Sequence, residues 1–265
     1  MPTFRSSDAQ LFYEVIGDGP PVVLLHPFPL NRHFWTPVAE RLSARYRLIR
    51  LDLRAHGESE AGDGPATMDK MAGDLAQLCR EQRIAKAVLV GVSIGGYVLF
   101  EFWRRSPEQV GALVLSNTRA GAETAEGRAN RLAVADKVLR EGTDAFIDNM
   151  LKKLVSPSTW TNRPDIVEAA RAMMQQMSPQ DIAAVQQGMA DRPDSISILP
   201  AINVPTLILG SEDDSVPRAE FELMRQLIPN SQLHVIAQAG HYAALEQPEE
   251  FARLLRGFFS KVSRQ

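Results

Sequence analysis

The segment Gly91-Val92-Ser93-Ile94-Gly95-Gly96 separates two apolar stretches of the chain. The first stretch, Ala87 to Val90, is typical of a short buried strand, and the second, Tyr97 to Trp103, is typical of a buried helix. Glycines on both sides of Ser93 remove Cβ atoms that would clash in a tight turn between a strand and a helix. The segment therefore predicts that Ser93 lies above the end of a strand and at the N-terminus of a helix, where negative charge is favoured.

Short apolar runs like Ala87 to Val90 recur along the chain. A strand that helices cover on both faces needs no polar side, so these runs predict a buried parallel sheet. Helical periodicity separates them, as in the segments from Thr67 to Arg83 and from Pro248 onward. This alternation predicts an α/β protein with a doubly wound sheet. The other five runs are Val22 to Leu25, Leu48 to Leu51, Ala112 to Leu115, Thr206 to Leu209 and Leu233 to Ile236.

The alternation stops between residues 119 and 195, where helix-forming residues dominate and no strand-like run occurs. We interpret residues 119–195 as a helical cap inserted into a core made of residues 1–118 and 196–265. Four large apolar side chains of this cap could close over a binding site, because methionine suits adaptable apolar pockets, but the alternative that the methionines only pack the cap helices onto each other stays open. They are Met173, Met174, Met177 and Trp160.

Composition excludes several classes of function. The 29 basic and 32 acidic residues are spread along the chain, so neither a nucleic-acid partner nor a membrane partner is expected. The single cysteine, Cys79, excludes an intramolecular disulfide and a cysteine-based metal cluster, and we expect no metal and no cofactor. The chain has no apolar stretch typical of a signal peptide or a membrane span, so a cytoplasmic location is expected. Composition leaves the oligomeric state open.

A serine nucleophile needs a base to take its proton and an acid to orient that base. Loops after two later strands supply both. His241 follows the run that ends at Ile236, and an acidic stretch follows the run that ends at Leu209. The order Ser, acid, His is the one expected when the serine stands on a strand-to-helix turn. Three adjacent residues are candidates for the acid: Glu212, Asp213 and Asp214.

His241 is one of five histidines, and its position favours it as the base. It lies in a loop beyond the last predicted strand, and Gly240 before it allows the backbone to turn. The other four are placed in an early loop, on a helix, in a turn and inside a strand: His26, His33, His56 and His234.

These motifs resemble the α/β-hydrolase superfamily over nearly the whole chain. The segment from Asp52 to Ser59 is similar to the structural turn D-x-R-G-x-G-x-S of that family. The resemblance implies an α/β-hydrolase fold, with a mostly parallel sheet of about eight strands and an inserted helical cap. The family's acid loop has the form G-x-x-D with a proline four residues later, which selects Asp213 and leaves Asp214 as the alternative. Some members carry the acid after an earlier strand, where this chain has Asn117.

The loop His26-Pro27-Phe28-Pro29-Leu30-Asn31 resembles the family's oxyanion-hole segment. The resemblance implies that the backbone N–H groups of Phe28 and Ile94 hold the oxyanion. Proline replaces the usual glycine at position 27 and has no N–H, so the donor of this loop must come from Phe28. The bond from Phe28 to Pro29 is a candidate cis peptide by the same resemblance.

The start and end of the cap are similar to those of 3-oxoadipate enol-lactonase-like proteins and small carboxylesterases. This resemblance implies a serine hydrolase that cleaves a small ester or lactone through an acyl-enzyme on Ser93. Two alternatives remain open. Pro29-Leu30 resembles the same loop in cofactor-free haloperoxidase-like perhydrolases, and some relatives with complete triads act as ligand-binding receptors.

Overall fold

The computed structural model describes residues 2–262, in which eight strands form one sheet. The strands in chain order are β1 (Thr3–Ser6), β2 (Ala9–Ile16), β3 (Pro21–Leu25), β4 (Arg47–Leu51), β5 (Ala87–Val92), β6 (Val110–Ser116), β7 (Thr206–Ser211) and β8 (Ser231–Ile236). The helices are α1 (Thr36–Leu42), α2 (Met68–Glu81), α3 (Ile94–Arg105), α4 (Ala125–Glu141), α5 (Asp144–Leu154), α6 (Pro157–Asn162), α7 (Pro164–Met174), α8 (Pro179–Ala190), α9 (Arg218–Leu227), α10 (Ala243–Glu246) and α11 (Pro248–Val262). Short 3₁₀ segments cover Arg32–Trp35, Pro107–Gln109 and Ile196–Ala201.

The sheet is mostly parallel, with the strand order β1-β2-β4-β3-β5-β6-β7-β8. The pairs β1/β2 and β2/β4 are antiparallel, and every other neighbouring pair is parallel. All six predicted runs lie within β3 to β8, so the predicted fold class is confirmed. Strands β1 and β2 were not predicted. Strand β1 has only four residues, and β2 alternates buried with more exposed positions instead of forming an apolar run.

Both faces of the sheet are covered by apolar packing. Val23 and Leu25 of β3 belong to one buried cluster, whereas Val22 and Leu24 belong to a second. This division follows from the strand geometry, since successive side chains point to opposite faces. The helix α2 begins where predicted, with the Thr67 side chain accepting a hydrogen bond from the backbone N–H of Lys70 at 3.2 Å.

Five helices, α4 to α8, lie between β6 and β7, and none of residues 117–205 forms a strand. Helix α4 packs along α8. The division of the chain into a core and a cap at residues 119 and 195 stays a prediction. Within residues 2–262, we find no helix with the length and apolar character needed to cross a membrane.

Candidate active site

Ser93 occupies the turn between β5 and α3. Its backbone has a φ of 55° and a ψ of −115°, and such a left-handed φ costs about 1 to 3 kcal/mol for a residue with a side chain. A Cβ on Gly91 would lie 2.5 Å from the carbonyl oxygen of Gly95, and one on Gly95 would lie 2.7 Å from that of Leu25. The two glycines therefore permit the close approach of β5, α3 and β3 that holds Ser93 at the carboxyl edge of the sheet.

His241 lies in the loop after β8, and its ring contacts a carboxylate. The distance from His241 Nδ1 to Asp214 Oδ1 is 2.7 Å, and the exposed fractions of the two side chains are 6% and 0%. When Nδ1 donates its proton to this carboxylate, Nε2 of a neutral ring is left as an acceptor. Ser93 and His241 line the same cavity. The arrangement therefore places a serine hydroxyl and a histidine backed by a carboxylate in one cavity.

The structure corrects the choice of the acid, since Asp214 and not Asp213 contacts His241. Strand β7 runs to Ser211, two residues past its predicted end at Leu209. The backbone N–H of Asp213 then bonds to the carbonyl of Ala239 at 2.9 Å, and its side chain is exposed. The spacing of Gly210, Asp213 and Pro217 selected Asp213, but spacing alone does not show which of two adjacent carboxylates turns toward His241.

The buried carboxylate of Asp214 is surrounded by hydrogen-bond donors. Besides His241, the backbone N–H of Val216 donates to Oδ1 at 3.1 Å, and Asn117 Nδ2 donates to Oδ2 at 2.7 Å. Burial by itself would raise the pKa of Asp214, but His241 and these donors outweigh burial and hold the pKa below its usual value. Asp214 therefore stays ionised and can orient and charge-stabilise the imidazole.

Asn117 follows β6 directly and has a φ of 48°. Its Nδ2 bonds to Asp214 and also to Ser211 Oγ at 2.8 Å, while its Oδ1 accepts from Ser116 Oγ at 2.7 Å. From the sequence, Asn117 was noted only because some family members have the acid at this position, and its contact with Asp214 was not predicted. The signal was available, because Asn117 and the acid loop follow neighbouring parallel strands and must meet at one edge of the sheet.

Glu246 on α10 was also missed. Its side chain is buried, and its two carboxylate oxygens accept from the backbone N–H groups of three residues: Gly240 at 3.0 Å, Tyr242 at 3.2 Å and Ser156 at 2.8 Å. Two of these groups flank His241, and the third lies between α5 and α6. Glu246 therefore ties the histidine loop to the cap helices. No motif in the sequence marks this residue.

The two predicted oxyanion donors lie at the expected edge of the sheet. Phe28 lines the cavity, and Ile94 is the first residue of α3, whose N–H lies too early to bond within the helix. Within residues 2–262 neither backbone N–H donates to an acceptor. The peptide bond between Phe28 and Pro29 is cis, as the resemblance implied. Both groups are therefore free to bind a ligand oxygen.

His26 supports this loop and does not act as a base. Its ring is buried, with Nδ1 at 3.1 Å from the carbonyl of Pro27 and Nε2 accepting from the backbone N–H of Leu53 at 3.0 Å. Burial lowers the pKa of His26 to about 4, so the ring is neutral. A neutral ring with a proton on Nδ1 satisfies both contacts and links the loop to the residues after β4.

A cavity of about 610 Å³ joins Ser93, His241 and Phe28 to the helices after β6. The expected cap residues do not form its wall. Met173, Met174 and Met177 pack in the apolar clusters, and Trp160 is exposed. Side chains of α4, α5 and α8 line the cavity instead, including Val134, Phe146, Met150 and Met189. Helical periodicity alone could not decide which cap face looks toward the serine.

The chain belongs to the alpha/beta hydrolase family, whose family model matches residues 22–254. It is thus an enzyme of the α/β-hydrolase fold, as predicted. A solved structure of a thermophilic esterase from Thermogutta terrifontis, with malate bound, is 40% identical, covers 99% of each chain and superposes with a TM-score of 0.95.

Two further relatives carry other names. The enol-lactonase from Burkholderia xenovorans LB400 is 25% identical, with coverage of 98% of this chain and 100% of that one and a TM-score of 0.91. A Bacillus subtilis protein named "Putative 2-succinyl-6-hydroxy-2,4-cyclohexadiene-1-carboxylate synthase" is 30% identical over 94% of this chain and 95% of the relative.

Proposed function

We propose that this enzyme cleaves a small carboxylic ester or lactone through an acyl-enzyme on Ser93, with His241 as the base and Asp214 as the acid. The observation that carries the proposal is the contact of 2.7 Å between His241 Nδ1 and Asp214 Oδ1. His241 lines the same cavity as Ser93. A serine hydroxyl alone is a weak nucleophile, so Ser93 needs the pair of His241 and Asp214 to remove its proton before it can attack a carbonyl carbon.

In the first half-reaction, Ser93 Oγ attacks the carbonyl carbon while His241 Nε2 takes the hydroxyl proton. The carbonyl oxygen becomes an oxyanion that accepts hydrogen bonds from the backbone N–H groups of Phe28 and Ile94. The tetrahedral intermediate then expels the alcohol oxygen, which receives the proton from Nε2. An ester releases its alcohol at this point, whereas a lactone keeps its new hydroxyl on the acyl chain.

In the second half-reaction, water replaces the alcohol. His241 Nε2 takes a proton from the water as its oxygen attacks the acyl carbon, and the same two N–H groups hold the oxyanion. The intermediate expels Ser93 Oγ, which regains its proton from Nε2, and the carboxylic acid leaves. Asp214 remains ionised throughout and stabilises the imidazolium that forms in each half-reaction.

The relatives support an ester or a lactone as the substrate class. A named esterase is 40% identical, and a named enol-lactonase shares the fold at 25% identity. The cavity volume of about 610 Å³ suits a small molecule.

Labelling by a fluorophosphonate tests the proposal, together with turnover of p-nitrophenyl butyrate. We expect the probe to modify Ser93, as located by mass spectrometry of the digested protein. The Ser93→Ala variant should neither be labelled nor turn over the ester, and Ser106→Ala, which changes a serine at the far end of α3, serves as the matched control. Labelling at another residue, or equal turnover by Ser93→Ala, would contradict the proposal.

Perhydrolysis at the same site stays a prediction from Pro29-Leu30. It is tested by comparing peracid formation with ester hydrolysis in the presence of hydrogen peroxide. Formation of no detectable peracid would remove this alternative and leave the ester or lactone proposal intact.

A further inference from the structure

The cavity wall that faces Ser93 carries more positive than negative side chains. Four cationic residues line the cavity, against two carboxylates. The cations are Arg119, Arg131, Lys137 and Lys153, and the carboxylates are Glu123 and Glu141. The balance matters because a cation at the wall of an apolar cavity attracts an anionic ligand unless the protein already neutralises it.

The two carboxylates already have partners. Glu123 bonds to Arg131 Nε and, at 2.7 Å, to Arg192 Nη1. Burial would raise the pKa of Glu123, but the two arginines lower it to about 2, so this carboxylate is ionised and compensated. Glu141 pairs with Lys137 at 3.7 Å on the same helix. Both carboxylates are therefore held in ion pairs with other cations, and the charge of Glu123 acts on Arg119 only from beyond ion-pair distance.

Arg119 and Lys153 lack so close a partner, although Tyr97 and the charges of Glu123 and Glu220 outweigh burial and raise the pKa of Arg119. Within residues 2–262, neither forms an ion pair with a carboxylate. Arg119 Nε is also buried without a hydrogen-bond acceptor in this part of the chain. A buried donor that lacks an acceptor is costly, so the site is suited to a ligand that supplies one. Lys153 is exposed at the end of α5 and can attract an anion toward the cavity.

Arg119 stands close to the reacting groups. It lies two residues after Asn117, which bonds to Asp214. It shares the cavity wall with Tyr97, which lies one helical turn after Ser93 on α3. A second arginine covers one face of the Tyr97 ring, since the Arg192 guanidinium lies 4.5 Å from the ring centroid.

We infer that Arg119 binds a free carboxylate of the substrate, so that the enzyme prefers an ester or lactone of an acid that carries a second, ionised carboxyl group. A guanidinium presents N–H groups in a planar fork that matches a carboxylate, and charge-assisted hydrogen bonds are strong when water is excluded. This inference rests on the proposed function, because Ser93 defines which bond is cleaved. Beyond the proposed function, it identifies the group of the substrate, a free carboxylate, that the enzyme binds during the reaction.

Pairs of substrates that differ in one charge test the inference. The first pair is mono-p-nitrophenyl glutarate and p-nitrophenyl valerate, which place the carboxylate, or a methyl group, on the acyl side. The second pair is acetoxyacetate and its ethyl ester, which place the charge on the alcohol side. We expect the wild type to favour the anionic member of the first pair in kcat/KM, by more than it favours that of the second pair, with a preference that falls as salt is added.

The Arg119→Gln variant should lose this preference. We expect the ratio of kcat/KM for the anionic over the neutral member to fall by about tenfold or more, the usual worth of a charge-assisted contact. Arg119→Lys should restore part of the ratio, since it keeps the charge and loses the fork. Arg128→Gln is the matched control, because Arg128 lies on α4, pairs with Asp191 and does not line the cavity. An unchanged ratio in a folded Arg119→Gln protein would overturn the inference.

A binding measurement separates this inference from the proposed function. Calorimetry of glutarate with the Ser93→Ala protein needs no turnover, and we expect Arg119→Gln in that background to weaken the affinity by about tenfold. Glutarate binding that depends on Arg119, in an enzyme that hydrolyses no ester, would uphold the anion site and refute the hydrolase proposal. Hydrolysis of neutral esters, with no effect of Arg119→Gln on the kcat/KM ratio or on glutarate affinity, would uphold the hydrolase proposal and refute the anion site.

Discussion

The two sides of the cavity are built in different ways. On the sheet side, backbone geometry and backbone hydrogen bonds hold Ser93, His241 and Asp214 at strand ends. On the cap side, ion pairs between side chains, such as those of Glu123 with Arg131 and Arg192, hold helices against one another. Strand ends are fixed by the sheet's register, whereas side chains on helices can be exchanged without changing the backbone. Under the proposed function, residues at the sheet edge set the reaction type, and residues on the cap side select the substrate.

The largest effect is expected from a substitution of Asp214, the proposed acid on the sheet side. Asp214→Asn should lower kcat by about 10⁴, because the imidazole loses the carboxylate that orients and charges it. Asp213→Asn is the matched control, since Asp213 is the exposed neighbour, and its kcat should stay within about twofold of the wild type. Steady-state kinetics on a p-nitrophenyl ester measure both. A greater loss in Asp213→Asn would restore the assignment that the sequence frame favoured.

A second substitution breaks the link between the two sides. Glu246→Ala leaves three buried N–H groups without their acceptor, and we expect the free energy of unfolding to fall by about 3 kcal/mol and Tm by about 6 to 12 °C. Differential scanning calorimetry measures the change. Glu249→Ala, an exposed glutamate on the next helix, should shift Tm by only about 1 to 2 °C. Equal losses in the two variants would show that Glu246 does not tie the histidine loop to the cap.

A smaller effect is expected at Asn117. Asn117→Ala removes a donor to the Asp214 carboxylate, so the pKa of Asp214 should rise and activity at the acid end of the profile should be lost at a higher pH than in the wild type. At neutral pH we expect kcat/KM to fall by about tenfold, the worth of one hydrogen bond to a charged group.

A pH profile of kcat/KM measures the Asn117 effect. Ser211→Ala is its control, because the Ser211 hydroxyl bonds to Asn117 and, within residues 2–262, donates no hydrogen bond to the Asp214 carboxylate. A profile whose acid limb stays in place would mean that Asn117 supports the fold only.

The smallest effect concerns stability on the cap side. The pKa of Glu123 is lowered to about 2 by its two arginines, so its ionised form stabilises the folded state. This contribution is complete above the pKa of the unfolded carboxyl, near 4.5, and is lost as pH falls from there toward about 2. Urea unfolding at a series of pH values should show that Glu123→Gln weakens the decline of stability in this window. A decline equal to that of the wild type would contradict the role of the ion pairs.

Particular residues show how far sequence reasoning reaches. The six buried strands, the position of Ser93 and the cis bond at Pro29 could be predicted, because each depends on a local pattern of apolar residues, glycines or a motif. The strands β1 and β2 could not, because β1 is short and β2 alternates buried with more exposed positions, so neither gives an apolar run. The carboxylate that contacts His241 lies one residue after the predicted one, since the spacing of the loop motif does not determine which adjacent side chain turns toward the histidine.

By itself, the sequence determined which residue types stand at the ends of the parallel strands, and therefore that a serine, an acid and a histidine meet at one edge. The tertiary structure alone decided that Asp214 contacts His241, that Asn117 bonds to Asp214, and that Glu246 bonds to the loop of His241. It also decided that Arg119 lines the cavity and, within residues 2–262, has no carboxylate at ion-pair distance. The reason is physical. Strand order follows from short-range patterns, whereas contacts between loops and cap helices depend on how distant segments pack, which no single segment encodes.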